Sequence, residues 1–196
     1  MMLAGLCAAA LITAPLSPSD ARAYGDDVDF IVSSIEKSHP APFEHITKSE
    51  FLKEAAAIKA TAPLKGVGCA TVELMALVAE LHDGHTYVAP INVPKQERWF
   101  PIRFYVFPEG LYVTSASPAY VKLVGKRVLR LGAIDAGTAM KNASAVQAAN
   151  NTLAASEGAV WLSNASIAEA FGAADSQGGI AWERRNEQPE MLPRRR

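Results

Sequence analysis

Two apolar rhythms meet in this chain, and their order limits what it can fold into. Up to Tyr87 the apolar residues recur with helical spacing: Val28, Ile31, Val32 and Ile35 form one set, and Leu74, Leu77, Val78 and Leu81 another. From Phe100 the spacing is two: Phe100, Ile102, Phe104 and Val106 alternate with Pro101, Arg103, Tyr105 and Phe107. The first pattern lays an apolar stripe along a helix, and the second lays an apolar face along a strand. Pro90, Pro94 and Pro101 separate them. Segregated helices followed by strands predict an α+β fold.

Local signals place the elements. A first helix is expected over residues 26–38, with Asp26 and Asp27 at its positive N-terminal end and His39-Pro40-Ala41-Pro42 stopping it, because a residue before proline is driven out of the helical region. Thr47-Lys48-Ser49-Glu50 has the form of a capping box and opens a second helix, with Phe51, Ala55 and Ile58 on its buried face. Ala62-Pro63-Leu64-Lys65-Gly66 breaks it. The third helix is expected over residues 70–82, its stripe broadened by Met75. Three amphipathic helices with short connections bury one shared core.

The later part is expected to hold a hairpin turning at Pro108-Glu109-Gly110 and returning through Leu111-Tyr112-Val113-Thr114. A helical turn at Ser117-Pro118, a strand over 126–131 ending at Gly132, and an Ala-rich helical stretch over 135–171 broken at Asn150-Asn151 follow. Ile180-Ala181-Trp182-Glu183-Arg184 has the composition of another strand, and residues 186–196 form an irregular, Pro- and Arg-rich tail. The Asn-x-Ser/Thr sequons at Asn142, Asn150 and Asn164 carry weight only in a eukaryotic secretory pathway, and the chain does not have that character.

Residues 1–23 have the form of a secretory leader: an apolar core over 3–12 too short to span a bilayer, then Ala21-Arg22-Ala23 as a cleavage site, so that the exported or periplasmic chain begins at Tyr24. The leader carries no Lys or Arg before its apolar core. No other run is long and apolar enough for a membrane span. Without the leader Cys69 is the sole cysteine, which leaves no intramolecular disulfide and suits a buried structural thiol. A formal net charge of -1 argues against a nucleic-acid partner, and Arg194-Arg195-Arg196 is too short for a binding face.

Chemistry concentrates at Glu80-Leu81-His82-Asp83-Gly84-His85-Thr86-Tyr87. Gly84 suits a tight left-handed exit from the third helix, which would hold the His85 imidazole at a fixed point beside the helix end. Histidine is the side chain whose proton moves near neutral pH. From spacing alone a helix cap with a solvent-facing histidine is the other reading. His39 and His45 suit surface or packing roles, and His82 and His85, three apart across a glycine, lack the spacing of a metal pair; no metal or cofactor is expected.

The order of the pieces carries a resemblance. Asp83-Gly84-His85-Thr86 at a helix end, then Phe100-Pro101-Ile102-Arg103-Phe104-Tyr105, Glu109-Gly110-Leu111-Tyr112-Val113 and Gly125-Lys126-Arg127-Val128-Leu129-Arg130-Leu131-Gly132, resembles the N-terminal half of the tricorn-type and tail-specific (C-terminal processing) serine peptidases. The resemblance implies a helical cap subdomain over 24–88, a linker over 89–98, a PDZ-like module over 99–156 and the start of a catalytic domain over 157–185. It implies peptide or unfolded protein as substrate, and His85 as general base, with Asp83, Gly84 and Thr86 around it. Leu131-Gly132-Ala133 departs from the usual Asn-Gly or Asp-Gly turn of such modules. The family places its nucleophilic serine in the last domain. This chain has no G-x-S-x-G motif, and Ser115 and Ser117 sit in no nucleophile setting. The expectation is therefore a chain inactive alone, completed by a separate catalytic domain, or a secreted module of PDZ type that binds peptides without cutting them. A chain made to dock on a further domain would leave apolar surface open, with Trp161 and Trp182 as candidates.

Overall fold

The computed structural model describes residues 6–7, 14–90 and 99–174, and the backbone of 180–184 and 187–192. It is mixed helix and sheet. Helix α1 spans Pro18–Ser38 and so begins eight residues before the expected start. The reason is local. Ser17 caps it by accepting from the Asp20 N–H at 3.1 Å, and Pro18 occupies the first turn, where a missing N–H costs nothing. The Ala21-Arg22-Ala23 segment therefore lies inside a helix, and Tyr24 is buried. Helix α2, Lys48–Thr61, opens with the expected capping box: Thr47 Oγ1 accepts from the Glu50 N–H, and Glu50 Oε2 accepts from the Thr47 N–H, each at 3.2 Å. Phe51, Ala55 and Ile58 form its buried face as anticipated.

Helix α3 covers Val67–Ala79, three residues earlier at each end than expected. It is buried nearly all round rather than along one stripe, because α2 packs on it from one side and helix α6, Ala165–Ala170, from another. The approach of α6 is close: a Cβ on Gly68 would stand 2.6 Å from the Ser166 carbonyl oxygen. The one acid inside α3, Glu73, is buried and paired with Lys65.

The β1 strand, Ile102–Phe107, pairs antiparallel with β2, Gly110–Ala116, in the expected alternation, with Ile102 and Phe104 buried and Arg103 exposed. The far edge of β2 is tied to the following segment by Val113 N–H to Lys126 O and Val128 N–H to Leu111 O, at 3.0 and 2.8 Å. Instead of a strand over 126–131, only Arg130–Leu131 (β3) is a ladder strand, returning through Gly132 to Ile134–Asp135 (β4). Gly132 holds φ +55° with no space for a side chain, since a Cβ there would lie 2.7 Å from the Gly172 carbonyl oxygen.

Helix α4, Ala136–Ala145, is capped by Asp135, and after the expected break Asn151 caps the short α5, Thr152–Ser156. A 3-10 stretch over Glu157–Ser163 then packs on both β1 and α4. Trp161 within it is buried, with its indole N–H given to Gln147 Oε1 at 2.9 Å, so it is a core residue and not the exposed docking surface expected. The side chain of Trp182 lies outside the described residues. Strand β5, Ile180–Arg184, adds to β3, and β6, Glu187–Leu192, adds to β5, giving the order β4-β3-β5-β6. The expected irregular tail is thus a strand over most of its described length. Pro189 falls where the β5–β6 register shifts between Trp182 and Arg184, and a bulge is where a residue without an N–H is tolerated.

One buried cluster runs without a gap from Leu6 through the helices to Ala174, crossing residue 156. Of the expected linker, residues 91–98 lie outside the described residues. Among the described residues no helix is long and apolar enough to cross a membrane.

Candidate functional site

The end of α3 builds the site. Leu81 and His82 close the last turn with N–H bonds to Val78 O and Ala79 O, at 3.2 and 3.0 Å. His82, not Gly84, takes the left-handed step, with φ 52°. The expected role of Gly84 is corrected: the helix ends earlier than the spacing implied, so the reversal falls on residue 82. A histidine tolerates this conformation better than most side chains, at a cost of order 1 kcal/mol.

Past that reversal the chain is organised by one carboxylate. Asp83 Oδ2 accepts from the Thr86 hydroxyl at 2.7 Å, Oδ1 accepts from the His85 backbone N–H at 3.1 Å, and the Thr86 N–H reaches the Asp83 carbonyl at 3.1 Å. These are the bonds of a side-chain-closed turn. They bring Asp83, Gly84, His85 and Thr86 together as the motif suggested. The Thr86 hydroxyl above all, then the His85 N–H and His39, hold the Asp83 carboxyl at about 2, well below its ordinary value.

The imidazole of His85 is not held. It is 95% exposed, and its Nδ1 stands 3.6 Å from Asp83 Oδ1, within ion-pair range but beyond a hydrogen bond. The expectation of a ring fixed beside the helix end is therefore corrected. Only the backbone of His85 is bonded to Asp83, and a side chain pointing into water has no packing to fix its rotamer.

The held imidazole belongs to His39, which sequence reasoning had assigned to the surface or to packing. It is the C-cap residue of α1, with only 13% of its side chain exposed. Its Nδ1 accepts from the Ala41 N–H at 3.2 Å, and its Nε2 lies 3.2 Å from Asp83 Oδ2. Since Nδ1 accepts, the proton of the neutral ring sits on Nε2 and is donated to Asp83. This is a carboxylate–imidazole pair of fixed tautomer. The only sequence signal for it is the His39-Pro40 helix stop; its partner is 44 residues away.

The other two histidines meet as well. The rings of His45 and His82 stand 5.2 Å apart, edge to face at 71°. All four histidines of the chain thus gather around the loop after α1 and the turn after α3. They do not form a metal cage: among the described residues no group of three or more potential ligands is placed to hold an ion. Among the described residues no serine or cysteine side chain bonds to any of these histidines. Ser115 lies in β2 opposite Arg103, and the Ser117 hydroxyl is buried in the start of a 3-10 turn. The arrangement therefore offers an exposed imidazole, a strongly acidic carboxylate that could orient it, and no attached nucleophile.

The chain matches no protein-family model, no curated protein and no solved structure.

Proposed function

We propose that the chain is the N-terminal part of an exported serine-type endopeptidase of the tricorn-type or tail-specific kind. Its helices α1–α3 act as a cap subdomain, β1–β4 with α4 as a PDZ-like module, and a leader is removed before Tyr24. The observation that carries the reading is the Asp83-centred turn, which presents His85 to solvent beside a carboxylate. A general base needs a ring nitrogen free to face a hydroxyl and an acceptor for the other nitrogen. A small rotation of the ring from its 3.6 Å position brings Nδ1–H onto Asp83 Oδ1, leaving Nε2 for a serine supplied by a further domain. His39 holds Asp83 in place from its other oxygen, and the Thr86 hydroxyl above all keeps it ionised. Such bonds commonly tighten only when the reacting complex assembles.

The test is reconstitution. The purified chain alone is expected to give no hydrolysis of unstructured peptides and no labelling by a serine-directed phosphonate. A serine-bearing domain encoded downstream, added in trans, is expected to restore cleavage, and His85→Ala to abolish it. Turnover by the chain alone would overturn the proposal. Restored activity indifferent to His85→Ala would place the base elsewhere, as in the Ser-Lys branch, and leave His85 as a helix-end residue.

A second reading, a secreted non-catalytic peptide-binding module, has its own support in β1. Among the described residues β1 has a single ladder partner, β2, with the 3-10 stretch 157–163 packed against it, and a strand without a second ladder partner is where an extended peptide can add. Slowed amide exchange confined to residues 102–107 on peptide addition, with no cleavage in any reconstitution, would favour it.

A further inference from the structure

Charge is divided unevenly along this chain. Between residues 24 and 90 ten Asp and Glu stand against five Lys and no Arg. Between residues 99 and 134 five Lys and Arg stand against one acid, Glu109. The two regions carry opposite sign, although the whole chain is nearly neutral at -1.

Each region also sets a phenylalanine in water. On the hairpin, β1 keeps its alternation, so Arg103, Tyr105 and Phe107 share the outer face, and Tyr112 of β2 stands opposite Tyr105. The Phe107 ring lies 4.9 Å from Tyr105 and 5.5 Å from Tyr112, centroid to centroid, yet Phe107 is 41% exposed. Gly110, opposite Phe107, leaves a side chain's place open, and the Arg127 guanidinium fills it: Nε is 3.0 Å from where a Cβ would stand. Among the described residues neither the Arg103 nor the Arg127 side chain has a hydrogen bond or ion pair. The hairpin thus presents three mutually packed rings with two unpaired guanidinium groups beside them.

On α1 the signs are reversed. Phe30 is 71% exposed, and Asp26 and Asp27, one turn before it, share its side of the helix. Asp29 is taken by Lys59 Nζ at 2.5 Å, whereas Asp26 and Asp27 have no hydrogen bond or ion pair among the described residues. Arg22 and Lys37, the two cations of α1, lie a turn or more away and bond neither carboxylate. An exposed ring beside two free carboxylates is the counterpart of an aromatic floor beside two free guanidinium groups, the pairing in which arginine recognises carboxylate best.

We propose that these two faces dock between copies of this chain: the α1 face of one copy, Phe30 with Asp26 and Asp27, seats on the hairpin face of another, Phe107 with Tyr105, Tyr112, Arg103 and Arg127. Phe30 is the anchor and the charges fix its orientation. The two faces are unlike, so each copy offers one of each. Neither face contains His85 or the Asp83 turn, so this contact stands apart from the peptidase reading.

Sedimentation of the full chain tests it. At roughly 100 µM and low salt the native chain is expected to run beyond the monomer, and about 0.5 M salt should return it toward monomer, because exposed charge pairs are screened. Phe30→Ser and Phe107→Ser, with melting profiles recorded for each, should weaken self-association about tenfold or more. Each variant loses one face and keeps the other, so a mixture of the two should form a complex of one copy of each, which neither forms alone. Asp27→Lys and Arg127→Glu should each weaken association, and the two together in one chain should recover it. A native chain that stays monomeric, association strengthened by salt, or a mixture that gives no mixed complex would overturn the proposal. Association lost in Phe107→Ser but kept in Phe30→Ser would also overturn it, since the hairpin would then meet a surface other than α1. His85→Ala, which tests the peptidase reading, should leave the sedimentation unchanged.

Discussion

Two histidines follow two broken helices, and they end in opposite surroundings. His39 closes α1 and is nearly buried, with both ring nitrogens engaged; His85 follows α3 and is 95% exposed, with its ring unbonded. Both lie against the same carboxylate. The difference does not come from residue type or from the break itself, since His39-Pro40 stops α1 and the left-handed His82 stops α3, each an ordinary way to end a helix. It comes from what covers the ring. The His39 stop is folded against the turn after α3, whereas nothing in the described structure lies over His85. A covered imidazole becomes part of the architecture, and an uncovered one stays available for chemistry.

Removing the shared carboxylate should break the comparison most severely. Asp83→Ala takes away the acceptor for Thr86, for the His85 N–H and for His39, and is expected to cost about 2 kcal/mol in urea unfolding, discounted because the carboxylate is partly exposed. A cost near zero would show that the turn is held by its backbone alone. The same residue sets a pH dependence. Its carboxyl is depressed to about 2 in the folded state, so its contribution to stability is complete above the unfolded value near 3.8 and is lost as pH falls through about 2. Acid unfolding between pH 4 and pH 2 should therefore be steeper for the native chain than for Asp83→Asn.

The two rings themselves give the smaller effects. His39→Ala should destabilise by about 1 kcal/mol, because it leaves a cavity and an unpaired Ala41 N–H. His85→Ala should stay within about 0.5 kcal/mol of the native chain, as expected for a side chain in water. Thermal melts of the pair measure the contrast directly. Equal losses would mean that His85 is covered in solution.

Much of the fold was legible in local pattern. The capping box at Thr47, the alternation through Ile102 and Phe104, the break before Asn151 and the turn at Gly132 all rest on bonds or dihedrals within a few residues, and the structure has each of them. The start of α1 is equally local, in Ser17-Pro18-Ser19-Asp20, within the stretch that also has the form of a leader. Of the candidate site, the grouping of Asp83, Gly84, His85 and Thr86 was visible because a short Asp-turn closes on itself.

Tertiary structure alone decided the rest. Whether α3 would be striped or buried all round depended on α6, nearly a hundred residues later, which needs Gly68 at its contact. Whether Trp161 faced water or the core depended on Gln147 and β1. Which histidine would be fixed by Asp83 depended on how the loop after α1 folds over the end of α3. Periodicity, caps and turns are encoded in neighbouring residues because their hydrogen bonds span only a few positions. Burial, tautomer and exposure are properties of surfaces brought together from distant positions, and those surfaces exist only once the chain has packed.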